Sequence, residues 1–129
     1  MQDHSLFHRD TSCLVVIDVQ QYFLNKLPAG LAAPLVARIG WFMRVARALG
    51  IPIIATAEDI PDNGTLVAPL LDLLPQRTPI FNKMVFGLYD QADIRAAVTA
   101  SGRTSSCRAP YGLPPGGGAR PRILKSWRR

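Results

Sequence analysis

The stretch LVVIDVQQYF at residues 14–23 decides the fold of this chain. Its four leading apolar residues are typical of a strand buried in a parallel sheet, because such a strand is covered on both faces. The apolar run ends at Asp18, and ligands of open α/β sheets bind beyond the carboxyl ends of the strands. Asp18 is therefore a candidate for chemistry. The alternative is a carboxylate that only bonds the local backbone.

Strand and helix patterns alternate along the next eighty residues. Apolar residues at helical spacing predict a long helix that includes Leu35, Ile39 and Ala46, and Gly50 is typical of its end. The pattern predicts, in order, a strand over 12–19, a loop over 20–30, a helix over 31–49, a strand over 51–56, a helix over 65–74, a strand over 78–81 and a helix over 90–100. Such alternation predicts a three-layer α/β/α fold with a parallel sheet.

Two further segments carry residues that chemistry can use. The second strand, IPIIAT at 51–56, is followed by Glu58, and the segment PIFNKMVFG at 79–87 contains Lys83. Together with the first stretch, in this order and at this spacing, they resemble the isochorismatase-like cysteine hydrolases over roughly residues 10–102. The resemblance implies an incomplete isochorismatase-like, Rossmann-like fold. It also implies hydrolysis of a small amide, carbamoyl or vinyl-ether substrate.

The resemblance implies three catalytic positions, and two of them match residues of this chain. Asp18 corresponds to the general base and Lys83 to the cation that favours the charged forms of its partners. The third position is a cysteine whose thiolate attacks a carbonyl carbon, so that an acyl-enzyme forms and water then releases it. Gln20, Phe23 and Glu58 are candidates for the substrate-binding pocket. Glu58 is alternatively part of an acidic loop.

The cysteine position is where the chain departs from the family pattern. The family cysteine follows the lysine by thirty-odd residues and comes after an apolar strand. Cys107 is the candidate nucleophile, but it comes earlier and follows Thr104-Ser105-Ser106. An exposed thiol in a loose tail is the alternative interpretation of Cys107. The other cysteine, Cys13, lies in the first predicted strand and is expected to be a small buried side chain.

Composition divides the chain into two segments. Residues 1–102 hold eight Lys or Arg and nine Asp or Glu, a net charge of −1, and we expect the isochorismatase-like domain there. Residues 103–129 hold seven Lys or Arg and no acid, a net charge of +7, and are rich in Gly and Pro. That composition predicts an irregular basic tail with no further strand. The tail lacks regular aromatic residues on which bases stack, so we do not expect nucleic-acid binding.

The genetic code offers an explanation for the tail. The codons of residues 104–110, read two nucleotides later, can encode VVLSGA, which resembles the fourth strand of the family. The codons of residues 111–122, read one nucleotide later, can encode TDCLRAAARDLG, which resembles the cysteine turn and its helix. We therefore hypothesise that residues 103–129 are an out-of-frame reading of an isochorismatase-like gene, which would leave the C-terminal part missing.

Other features limit the partners. No membrane-spanning run and no signal peptide are visible, so a cytoplasmic location without membrane association is expected. No metal-ligand pattern is visible, so neither a metal nor a cofactor is expected. The family resemblance implies a small-molecule substrate and a homo-oligomer. Three rival interpretations stay open: a catalytically dead isochorismatase-like binding module, a flavodoxin-like or nucleotide-binding domain, and a nucleic-acid-binding protein that acts through its tail.

Overall fold

The computed structural model describes residues 8–103 and the backbone of 105–110. Ten short elements follow one another in the described ranges. They are β1 (Ser12–Ile17), α1 (Gln21–Leu24), α2 (Ala32–Ala48), β2 (Ile53–Glu58), α3 (Ile60–Asn63), α4 (Ala68–Leu71), β3 (Ile80–Lys83), a 3-10 turn (Leu88–Asp90), α5 (Ala92–Ala100) and β4 (Ser105–Pro110).

The four strands form one parallel sheet in the order β3-β2-β1-β4. β1 is central, and its Val16 pairs with Ala55 of β2. At the other side of β2, Glu58 pairs with Lys83, the last residue of β3. Because all strands run in the same direction, their carboxyl ends meet at one edge of the sheet. Asp18, Glu58 and Lys83 all lie at this edge.

Helices cover both faces of the sheet. Side chains of a strand alternate between its faces, and β1 follows this rule: Leu14 and Val16 contribute to one buried cluster and Cys13 and Val15 to another. The first cluster includes residues of α2 and α4, namely Ile39, Met43, Ala46 and Leu70. The second includes Ile94 and Val98 of α5. The prediction of a three-layer α/β/α fold with a parallel sheet is therefore confirmed.

Some predicted boundaries were wrong, and tertiary contacts explain one of them. The pattern predicts a helix over 65–74 that begins after Thr65, but α4 contains only Ala68–Leu71. The chain before it is extended, since Leu66 forms an antiparallel bridge with Gln20 and the Val67 N–H donates to the Val19 carbonyl at 3.0 Å. Pairing with the segment after β1 therefore delays the start of the helix.

β4 is the main correction to the sequence analysis. The composition of residues 103–129 predicts no strand, whereas Ser105–Pro110 is a strand paired with β1 along its whole length. Without β4, the buried strand β1 would present an open row of N–H and C=O groups, and main-chain pairing satisfies such groups whatever the side chains are. The predicted boundary between the domain and the tail, at 102/103, thus lies before β4, which belongs to the sheet. Residues 104 and 111–129 of the predicted tail lie outside the described residues.

Candidate active site

Asp18 is the buried centre of the site. It follows the last residue of β1 and is only 6% exposed. Its Oδ1 accepts a hydrogen bond from the Thr56 hydroxyl at 3.0 Å, and its Oδ2 lies 2.8 Å from the Lys83 Nζ. Its φ of +54° is left-handed, which non-glycine residues seldom adopt and which occurs preferentially at functional sites. Asp18 thus combines a left-handed backbone conformation with a carboxylate whose two oxygens both have partners.

Lys83 joins two carboxylates at the edge of the sheet. Its side chain is buried, with the residue 4% exposed, and its Nζ lies 3.7 Å from Glu58 Oε2 in addition to its contact with Asp18. The Glu58 side chain is 44% exposed, so this second carboxylate lies at the boundary between the buried pair and solvent. A buried ion pair contributes little net stability, because desolvation of both charges offsets their attraction. Its presence here therefore favours a functional explanation.

Gln20 has a different environment from the one predicted for a pocket residue. Its side chain is fully buried. Its Oε1 accepts from the Glu58 N–H at 2.8 Å, and its Nε2 donates to the carbonyls of Glu58 at 2.9 Å and Gly64 at 2.6 Å. Both amide hydrogens are therefore engaged, one by the last residue of β2 and one by the turn beyond it. Gln20 fixes the main chain of Glu58 and the turn beyond it.

Phe23 lies in α1, directly after the Asp18 turn, and is half-buried. Its ring contacts the Tyr22 ring edge-on, with centroids 5.1 Å apart. The Lys26 ammonium lies 4.1 Å from the Tyr22 centroid and 5.5 Å from that of Phe23. The two aromatic rings and this cation form a small cluster next to the carboxyl end of β1.

The two cysteines lie in β1 and β4, several residues before the carboxyl ends of these strands, where Asp18 and Lys83 form their pair. Cys107 pairs in register with Leu14, four residues before Asp18, which corresponds to about 13 Å of strand at ~3.3 Å per residue. This register weighs against Cys107 as the nucleophile, although its side chain lies outside the described residues. Cys13 is fully buried, and desolvation raises the pKa of its thiol. The expectation of a buried Cys13 is confirmed.

Thr56 is a site residue that the sequence analysis missed. It is fully buried and supplies the hydroxyl that donates to Asp18. The signal was present in the sequence, because Thr56 is the only hydroxyl-bearing residue of β2. A polar group in a buried strand requires a hydrogen-bond partner.

Two absences hold for the described part of the chain. Among residues 8–103, no group of three or more His, Cys, Asp or Glu side chains is placed to hold a metal ion. In the same region, no helix has the length and apolar character needed to span a membrane.

Comparison with solved structures identifies the fold. YcaC from Pseudomonas aeruginosa, in a structure with hexane-2,5-diol and covalent acrylamide, is similar with a TM-score of 0.74 at 20% identity, over 84% of this chain and 54% of that one. An isochorismatase family protein from Burkholderia thailandensis is similar with a TM-score of 0.63 at 18% identity, over 77% of this chain and 63% of that one. The fold is isochorismatase-like. This confirms the fold that the sequence resemblance implied.

A third similar structure has another activity in its name. The MAR1 ribonuclease from Caenorhabditis elegans gives a TM-score of 0.69 at 24% identity, over 79% of this chain and 50% of that one. This chain thus spans less than two thirds of the length of each of the three proteins. No protein-family model matches the chain, and no curated protein matches it at a significant level.

Proposed function

We propose that this chain carries the base and the lysine of an isochorismatase-type cysteine hydrolase that acts on a small amide, carbamoyl or vinyl-ether substrate. The observation that carries the proposal is the buried contact of 2.8 Å between Asp18 and Lys83 at the carboxyl edge of the sheet. The fold and the sequence resemblance support it. Isochorismatase-like proteins are expected to bind their ligands at this edge.

Each residue has a definite task in the proposed reaction. Asp18 takes the proton of an attacking thiol, and Lys83 stabilises the charges that this transfer creates. On an amide or carbamoyl substrate, the thiolate forms a bond to the carbonyl carbon, the bond to the leaving group breaks, and that group departs with the proton from Asp18. Water then cleaves the acyl-enzyme and restores the thiol. Glu58, at the solvent side of Lys83, and Phe23, beyond the turn after β1, are proposed to contact the substrate.

The second candidate function is an isochorismatase-like module that binds a small molecule without turnover. The register of β4 favours it, because Cys107 pairs with Leu14 rather than lying at the level of Asp18. A site without its nucleophile keeps the groups that orient a substrate but loses several orders of magnitude in rate.

Hydrolysis of three substrate classes tests the proposal. Purified chain is incubated with nicotinamide, an N-carbamoyl amino acid and isochorismate, and the products are measured by mass spectrometry. The hydrolase candidate predicts turnover of one class, a loss of about 10²–10⁴-fold in Asp18→Asn and in Lys83→Met, and inactivation of amide or carbamoyl hydrolysis by iodoacetamide. Arg38→Met is the matched control, because Arg38 is an exposed cation of α2 and is not among the residues placed at the site. Cys107→Ser tells whether Cys107 supplies the thiol.

The outcomes separate the two candidates. Binding of one of these compounds without turnover, unchanged by iodoacetamide, would replace the hydrolase with the binding module. Neither binding nor turnover for any class would contradict both.

The coding DNA tests the proposed origin of the tail. Resequencing from codon 100 onward and translation in three frames should give an apolar strand, a cysteine turn and further α/β pattern in another frame. The parent protein would then be a complete cysteine hydrolase. If all three frames lack this pattern, the tail is genuine and the binding module is the better proposal.

Assembly and location complete the proposal. We infer a homo-oligomer, as the sequence resemblance implies, and a cytoplasmic location, as expected from a sequence in which no signal peptide is visible. The exposed side chains of Trp41 in α2 and of Leu31 and Leu49, which flank this helix, support self-association, since exposed apolar patches mark interaction sites. Analytical ultracentrifugation should show a species larger than one chain, and a monomer at micromolar concentration would contradict this part.

A further inference from the structure

Gln91 makes an unusual pair of contacts around Lys83. It lies between the 3-10 turn and α5. Its Nε2 donates to the Asn82 carbonyl at 2.8 Å, and its Oε1 accepts from the Met84 N–H at 2.9 Å. These are the backbone groups on either side of Lys83. One side-chain amide thus makes the two hydrogen bonds that a residue of a neighbouring parallel strand would make with the backbone on either side of Lys83.

The backbone of Lys83 is fixed from the other side as well. Among the strands that the structure describes, β3 pairs only with β2. The Lys83 carbonyl accepts from the Asp59 N–H at 3.2 Å, and the Asn82 Oδ1 accepts from the Ile60 N–H at 2.9 Å. The turn after β2 therefore holds one side of this segment, and Gln91 holds the opposite side.

Side-chain burial contributes little to the position of the segment after Lys83. Met84 and Val85 are exposed, and Phe86 is 97% exposed. Burial of apolar area is the dominant favourable term in folding, and these three exposed side chains contribute little of it. The hydrogen bond from the Met84 N–H to Gln91 is the contact that ties the start of this loop to α5.

We propose that Gln91 is a positioning residue that keeps the Lys83 ammonium against Asp18. The inference rests on the proposed function of the Asp18–Lys83 pair. Gln91 acts through the backbone at residues 82 and 84 and does not touch the ammonium itself. Loss of its amide frees this backbone on the side of α5, so that Lys83 leaves Asp18 more often and becomes accessible to solvent.

Chemical labelling of Lys83 tests the inference without a substrate. The full chain is treated with sulfosuccinimidyl acetate under native conditions, and acetylation of Lys83 relative to Lys26 is followed by mass spectrometry. In Gln91→Ala, the relative rate for Lys83 should rise roughly tenfold, which corresponds to the loss of one or two hydrogen bonds. Gln91→Glu keeps an acceptor for the Met84 N–H but loses the donor to the Asn82 carbonyl. Its relative rate of Lys83 acetylation should therefore lie between those of the unsubstituted chain and Gln91→Ala.

A second variant separates positioning from general destabilisation. Val98→Ala removes buried volume from α5 without touching the segment around Lys83. It should lower stability but change the relative rate by less than about twofold, because only global unfolding would then expose Lys83. An unchanged rate in Gln91→Ala, or an equal rise in Val98→Ala, would overturn the inference. Since labelling needs no turnover, a rise in Gln91→Ala upholds the inference even if the hydrolase proposal fails.

Discussion

Asp18 has two flanks in the sheet, and they are built differently. Towards β2, its carboxylate contacts Thr56 and Lys83, and Gln20 fixes the chain beyond β2. Towards β4, main-chain pairing extends to Pro110, and the cysteine of that strand lies at the level of Leu14. On the β2 side, the described residues thus include every contact that the Asp18 carboxylate makes with Thr56 and Lys83. The β4 flank, where the family resemblance implies a cysteine, is a strand of weak sequence pattern.

The contrast between the β2 and β4 sides shows where a sequence specifies structure residue by residue. Buried polar groups must be paired, so a flank that contains them is specified residue by residue. A strand that serves mainly to pair an open edge is specified by its backbone, and many sequences satisfy it. The predictions below test whether the first flank is as tightly coupled, and the second as well paired, as this comparison requires.

The largest effect should come from breaking the ion pair. Lys83→Met leaves the buried Asp18 carboxylate without its cation, and an uncompensated buried charge costs about 3–5 kcal/mol. Urea unfolding should show this loss in the free energy of unfolding. Lys26→Met, at an exposed cation–π contact, should cost less than about 1 kcal/mol. Equal losses in the two variants would argue that Lys83 is not in a buried pair.

A smaller effect should follow from removing the Gln20 amide. Gln20→Ala removes the buried amide that bonds the N–H and carbonyl of Glu58 and the carbonyl of Gly64, at an expected cost of about 1–3 kcal/mol. The adjacent Gln21 is a matched control, because its amide donates to the Asn25 side chain on an exposed surface. Gln21→Ala should lie within about 0.5 kcal/mol of the unsubstituted chain. If the two alanine variants are equally stable, Gln20 does not fix the β2 turn.

The β4 flank is tested without any substitution. In parallel pairing, alternate N–H groups of β1 point to opposite neighbours. The N–H groups of Leu14 and Asp18 donate towards β2, so those of Val15 and Ile17 should donate towards β4. Hydrogen exchange measured by NMR should show both sets protected. Fast exchange confined to Val15 and Ile17 would mean that β4 does not pair with β1.

Part of the site could be predicted from the sequence, and the reasons are physical. Asp18 and Lys83 each follow or end an apolar strand of a parallel sheet, so their convergence at one edge follows from strand direction. The layers followed from periodicity, since Ile39, Met43 and Ile94 recur at helical spacing and are buried.

The rest depends on contacts that local pattern does not encode. The Gln20 amide bonds backbone groups 38 and 44 residues away. The residues next to Gln20 in the sequence therefore gave no indication of these contacts. Gln91 follows an aspartate that was expected to begin the helix, and nothing in its neighbourhood indicates that its amide spans Lys83. β4 escaped prediction because Ser105–Pro110 has neither apolar alternation nor β-branched residues.

The most direct test of the central claim, that Asp18 and Lys83 form one coupled buried unit, is a double-mutant cycle. Asp18→Asn, Lys83→Met and the double variant are compared with the unsubstituted chain by urea unfolding. Asparagine tolerates the left-handed backbone of position 18 and keeps an acceptor for the Thr56 hydroxyl. The double variant should be more stable than Lys83→Met alone, because it also removes the Asp18 charge that Lys83→Met leaves buried without a cation. Additive losses in the two single variants would contradict this expectation.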